Sequence, residues 1–265
     1  MTEEVWTEIK SGIAQLRFNR PELRNALSMI GVREVITFLR AVERDESVRC
    51  MLVCGAGPHF MAGGNMQNFL HVLAEPEEVR AASFEQRAVD QSPIWVSFER
   101  LKIPVVCSVR GYAVGAALSF VGAADLAIAS DTAKFILGHI GIGLPPDAGT
   151  SYYLPRAVGQ KRARQIAFLG EPVTASEALS MGLVNWVVPD AELETRTLEL
   201  VGRLTRAPSM AIAEGRRLLN MSLYSNISEQ LSAEAEAFAR CGLSCDLKEG
   251  VTAFMEKRKP NFTGR

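Results

Sequence analysis

A chain of 265 residues is long enough for one large domain with a substantial core, or one domain plus an appendage. Its 48% hydrophobic and 22% charged residues are ordinary for a globular protein. With 29 Lys+Arg against 30 Asp+Glu, charge gives no reason to expect nucleic acid or an anionic membrane as a partner.

The N-terminal "MTEEVWTEIK" is acidic and mixed, unlike a leader peptide, so a cytoplasmic protein is expected. "VWTEIKSGIAQLRFN" reads as two strands with Ser11–Gly12 at the turn. "RPELRNALS" is a polar loop. A helix begins after Ser28, an N-cap type, and Met29, Val32, Ile36 and Leu39 share one face. "RCMLVCG" is a buried strand, followed by the Gly-rich "GAGPHFMAGGN". The span 66–98 is weakly helical and polar, and is expected to be a mobile flap.

"IPVVCSV" is a second buried strand, and "RGYAVGAALSFVGAA" a turn opening a small-residue helix too short to cross a bilayer. "DLAIAS" and "KFIL" are strands, and helices are expected at about 148–155 and 160–169. Thr174 and Glu177 form a capping box, Gly182 stops that helix, and "LVNWVV" is a strand. After Pro189 the pattern is helical, with breaks near Pro208, Asn226 and Gly242. The organisation expected is an α/β core over 1–190 and an all-helical region over 191–265 that packs on a neighbouring subunit. Of the five cysteines, Cys50, Cys54 and Cys107 sit in apolar runs and read as buried thiols; Cys241 and Cys245 lie near a helix junction.

The three histidines show no metal-ligand spacing, and "GAGPHF" lacks the full GxGxxG of a dinucleotide loop. Two junctions of strand, Gly-rich loop and helix remain, "HFMAGGNMQNF" and "RGYAVGAALSF". Either alone suits tight packing. Two helix starts facing one point would instead offer N–H groups to a developing negative charge. A third stretch, "GLPPDAGTSYYLPRAVG" (143–159), places Asp147 after two prolines, as a helix cap or as a base over a substrate.

"RPELRNALS", "FMAGGNMQNF", "RGYAVGAALSF…DLAIASDTAKF", "GLPPDAGTSYYLPRAVG", "A…MGLVNWVV" and "FMEKRKPNF" together resemble the crotonase (enoyl-CoA hydratase/isomerase) superfamily over essentially the whole chain. The resemblance implies a spiral of ββα turns, a C-terminal helical trimerisation region giving a homotrimer or hexamer, and an acyl-CoA thioester substrate, with coenzyme A part of the substrate and no separate cofactor. By position it implies that the N–H groups of Gly64 and Ala116 form the oxyanion hole, Ala116 standing where glycine is more usual. It places Arg24 and Ala26 at the CoA phosphates and pantetheine, Ala62 and Met66 at the adenine site, and Phe254 and Lys257 as tail residues that reach CoA.

Hydratases of this family use two glutamates; Ser119 and His139 stand at those positions. Ser119 suits packing on a small-residue helix, and His139 a pocket wall or an acid/base group. Relatives with an aspartate at the place of Asp147 include double-bond isomerases and aryl-CoA dehalogenases. A dehalogenase also needs a histidine near 91–93, where none stands. The expected activity is therefore an isomerase with Asp147 as sole proton carrier, its pKa raised by an apolar acyl pocket. A hydratase using His139 and Asp147, and a silent acyl-CoA-binding homologue, are the alternatives. Tyr152 and Tyr153 are expected in the core.

Overall fold

The structure, a computed structural model, describes residues 3–264. The chain opens on a hairpin of β1 (Val5–Lys10) and β2 (Ile13–Phe18). Ser11 and Gly12 both take positive φ, 51° and 77°, as a tight two-residue hairpin turn requires. Helix α1 (Met29–Arg44) starts where Ser28 accepts a hydrogen bond from the Ile30 N–H, and it buries Val32, Val35 and Leu39. β3 (Cys50–Gly55) runs parallel to β2.

The span expected to be a mobile flap is two helices, α2 (Met66–Leu73) and α3 (Glu77–Arg100). The first turns of α3 are polar and exposed, but its C-terminal turns bury Ile94, Trp95 and Phe98. Trp95 and Phe98 stack around Phe120, with ring centroids 4.9 and 5.7 Å away. Pro93 interrupts this helix and cannot donate to the Val89 carbonyl; the Ser92 hydroxyl does so instead, at 2.7 Å. Burial of one end, not amphipathicity along the whole length, holds α3 in place.

β4 (Val105–Val109), β5 (Tyr112–Val114), α4 (Ala117–Ala123), β6 (Leu126–Ser130) and β7 (Lys134–Ile136) follow. α5 (Thr150–Leu169) is bent at Gly159, whose φ of 76° and ψ of 160° divide the two helical stretches that the sequence suggests. β8 (Val173–Thr174) leads into α6 (Ala175–Met181), which has the expected capping box and the Gly182 stop. β9 (Trp186–Val188) completes a six-stranded sheet ordered β1-β2-β3-β4-β6-β9, parallel beyond the first hairpin. β5, β7 and β8 form a second sheet.

α7 (Leu193–Thr205) packs back on the large sheet, where Val201 joins Cys50, Leu52 and Val106. α8 (Ser209–Met221), α9 (Ile227–Gly242) and α10 (Cys245–Met255) follow, broken where the sequence places the breaks. Arg216 ties α8 to the core: its guanidinium pairs with Asp125 and donates to the Phe98 and Leu101 carbonyls. The five cysteines are free thiols. Cys50 and Cys107 are buried, and burial pushes the Cys50 thiol to about 12; Cys54, one residue before the end of its strand, is only half-buried. Among the described residues no helix is long and apolar enough to cross a membrane.

Candidate active site

The two Gly-rich loops meet. Met61 and Ala113 form a parallel bridge, with the Val114 N–H donating to the Met61 carbonyl at 2.9 Å and the Met61 N–H to the Tyr112 carbonyl at 3.1 Å. Gly63 (φ 80°) and Gly115 (φ 62°) make this approach possible, since a Cβ on Gly63 would lie 2.9 Å from the Val114 carbonyl oxygen. The first loop is further pinned by Asn25. Its buried amide donates to the carbonyls of Ala56, His59 and Phe60 and its oxygen accepts from the Arg20 N–H.

Between the loops lies a cavity of about 260 Å³. Gly64 and Ala116 line one side, and among the described residues neither N–H has a hydrogen-bond acceptor. Ala62 and Met66 also line it, as do the apolar Leu27, Ile94, Trp95 and Phe120. Arg24 and Ala26 do not line the cavity but adjoin it, the Arg24 carbonyl accepting from the Ala62 N–H at 2.8 Å. Phe254 and Lys257 sit on or just beyond α10, exposed and outside this cavity.

Asp147 faces the cavity. Its Oδ1 is 2.9 Å from His139 Nε2 and its Oδ2 is 3.2 Å from Gln91 Nε2. Its side chain does not cap α5, whose N-cap position is Gly149; only its backbone carbonyl meets the Thr150 N–H. Ala148 (φ 52°) and Gly149 (φ 76°) form a tight turn that aims the carboxylate away from the helix axis. A left-handed alanine is strained, and the strain is held by the buried surroundings of Ala148 and Thr150.

The expected rise in the Asp147 pKa does not occur. Burial does push the carboxyl up. The hydrogen bond and charge of His139, the Gln91 amide and the Arg87 guanidinium together outweigh it, and the group ends below its ordinary 3.8. An ionised carboxylate only accepts, so His139 Nε2 carries the hydrogen of this pair. The imidazole Nδ1 is buried without a partner.

Ser119 does not line the cavity. It is fully buried and its hydroxyl is 2.6 Å from that of Thr150, locking α4 to the first turn of α5. Tyr153 is buried with its hydroxyl toward the Trp95 carbonyl, whereas Tyr152 reaches the Tyr224 hydroxyl under the Arg156 guanidinium. The sequence gives no warning of Arg87 or of the Gln91 contact. Their only signal is spacing, since Arg87, Gln91 and Trp95 recur every fourth residue and so share one face of α3.

The family model for enoyl-CoA hydratase/isomerase matches residues 8–265. The chain belongs to the enoyl-CoA hydratase/isomerase family. It is 32% identical over 265 residues to the 1,2-epoxyphenylacetyl-CoA isomerase of Escherichia coli, covering 100% of both chains. It is 31% identical to the crotonyl-CoA hydratase of Syntrophomonas wolfei, covering 99% of each. The crystal structure of an enoyl-CoA hydratase/isomerase from Cupriavidus metallidurans superposes with a TM-score of 0.90 at 29% identity, covering 100% of this chain and 97% of that one. The fold is thus the crotonase-like α/β fold with its C-terminal helical region. Family membership makes the chain an acyl-CoA enzyme; isomerases and hydratases both occur among its relatives.

Proposed function

We propose that this protein moves a carbon–carbon double bond in an enoyl-CoA thioester, with Asp147 as the one proton carrier. The observation that carries the reading is the aim of that carboxylate, into the cavity and off the helix it precedes. In this reading the thioester oxygen sits between the Gly64 and Ala116 N–H groups. Asp147 takes a proton from C2 of a 3-enoyl thioester. The C2–H electron pair becomes the C1=C2 bond of a dienolate as the carbonyl π pair moves onto oxygen. When the same carboxyl returns the proton to C4, the oxygen pair re-forms the carbonyl, the C1=C2 pair becomes C2=C3, and the C3=C4 pair takes the proton. Backbone donors suit the dienolate because they need no reorganisation when charge appears, and losing one donor typically costs about 3 kcal/mol of transition-state stabilisation. An Asp147 held below its ordinary pKa is ionised at neutral pH and ready to accept.

Arg24 and Ala26 then lie toward the CoA phosphates and pantetheine, and Ala62 and Met66 toward the adenine. Phe254 and Lys257 serve a neighbouring copy in a homotrimer or hexamer. The helical region supports that assembly, since Phe238, Leu243 and Phe254 are 84%, 91% and 82% exposed in one chain.

The contact between His139 and Asp147 favours one second reading, a hydratase in which the two groups share the work of the missing glutamates. Product analysis separates them. Incubation with a 3-enoyl-CoA and, separately, a trans-2-enoyl-CoA yields the shifted isomer from the first under the isomerase reading. A 3-hydroxyacyl-CoA from the second supports the hydratase. Inertness toward both, with binding retained, supports a silent acyl-CoA binder.

A further inference from the structure

Arg87 is a cation in a place that ordinarily disfavours one. It lines the cavity, half-buried, with its guanidinium 4.7 Å from the centre of the Phe69 ring. A Cβ placed on Gly64 would lie 2.9 Å from Arg87 Nη2, so the guanidinium rests against the first Gly-rich loop. Among the described residues it has neither a hydrogen-bond acceptor nor an ion-pair partner. Asp147 is the carboxylate whose charge it feels, yet both Asp147 oxygens are engaged elsewhere, Oδ1 by His139 and Oδ2 by Gln91. A half-buried guanidinium keeps five donors in a fixed fork, and with no protein acceptor they are open to an acceptor in the cavity.

We propose that Arg87 binds a carboxylate carried by the acyl chain, so that the preferred substrates are CoA monothioesters of short dicarboxylic acids. The inference rests on the reading of this cavity as the acyl-CoA site. The fork matches a carboxylate with two parallel hydrogen bonds. Its position beside Gly64, which holds the thioester oxygen in that reading, puts the second carboxylate only a few carbons from the carbonyl. Arg87 also lies one helical turn from Gln91, the partner of Asp147, so its positive charge offsets a substrate carboxylate and the ionised Asp147 alike. Without Arg87, the two negative charges would share one cavity uncompensated.

Binding of saturated thioesters tests this without any turnover, so failure of the isomerase reading leaves the test intact. Titration calorimetry compares succinyl- with butyryl-CoA, glutaryl- with pentanoyl-CoA, and adipoyl- with hexanoyl-CoA. In the wild type, at least one dicarboxylic member is expected to bind at least about tenfold tighter than its neutral partner, the gain a charge-assisted hydrogen bond supplies. Arg87→Met should bring that ratio to one or below, and Arg87→Lys, which keeps charge but loses the fork, should leave an intermediate ratio. Equal or weaker binding of all three dicarboxylic thioesters by the wild type overturns the proposal, whether or not the variants fold. A preference that persists in Arg87→Met overturns it as well. Failure of every thioester and of CoA itself to bind overturns both this proposal and the acyl-CoA reading beneath it.

Discussion

One wall of the cavity is backbone and another is side chain. The first is made by two Gly-rich loops laced through Met61, Ala113 and Val114, which present the Gly64 and Ala116 N–H groups. The second is made by Asp147, His139, Gln91 and Arg87, drawn from a loop, the short 3₁₀ helix Gly138–Ile142 and the helix α3. A backbone wall is fixed by the path of the chain and tolerates changes of side chain, as Ala116 illustrates. A side-chain wall depends on each partner, and the same geometry serves different chemistry when one group changes.

That contrast can be broken from either side. The largest effect is expected at Asp147. Asp147→Asn keeps the shape and, through its carbonyl oxygen, the acceptor for His139, while its NH2 is met only by a Gln91 amide turned to present its oxygen. The base is gone, and isomerase turnover should fall by about 10³-fold or more with the protein still folded. Full activity in a folded Asp147→Asn would remove the side-chain wall from the chemistry. Next is Gly63→Val on the backbone wall. A branched side chain at a φ of 80°, with its Cβ 2.9 Å from the Val114 oxygen, should cost about 2–3 kcal/mol of stability and part the two loops. A melting curve and a kcat measurement should fall together.

A smaller effect sharpens the comparison. The Asp147 pKa is lowered, so the acid limb of the rate profile should lie below pH 3.8, and the stability contributed by its contacts should be present above pH 3.8 and fade as the pH falls through the lower folded value. His139→Phe removes the strongest of the lowering influences. The limb should then move to higher pH while isomerisation persists; loss of isomerisation at every pH would make His139 a catalytic partner. The smallest effect is that of Ser119→Ala, which leaves the buried Thr150 hydroxyl without its partner. It should cost about 1 kcal/mol in denaturant unfolding and leave turnover unchanged, because Ser119 does not reach the cavity.

The two walls were also unequally legible in the sequence. Local rules found the Ser28 cap, the Thr174–Glu177 box and the breaks at Pro208, Asn226 and Gly242, because each depends on residues a few positions apart. The Gly-rich loops were visible for the same reason. The weakly helical character of 66–98 is legible, but the burial of the end of α3 is not, because its apolar residues are concentrated in the last turns, which hides the period of a buried face until Phe120 is packed against it. The sign of the Asp147 shift is not legible in the sequence because it is set by contacts made in the fold, first with His139 across the turn and then with Gln91 and Arg87 from the distant α3. Burial alone would have given the opposite sign.

The measurement that bears most directly on a single proton carrier is isotope transfer. A 3-enoyl-CoA deuterated at C2 is turned over once in ordinary water and the product analysed at C4. One carboxylate that takes and returns the proton predicts that a fraction of the product carries the deuterium at C4. Product whose C4 hydrogen comes entirely from solvent, at the earliest turnover, would contradict it.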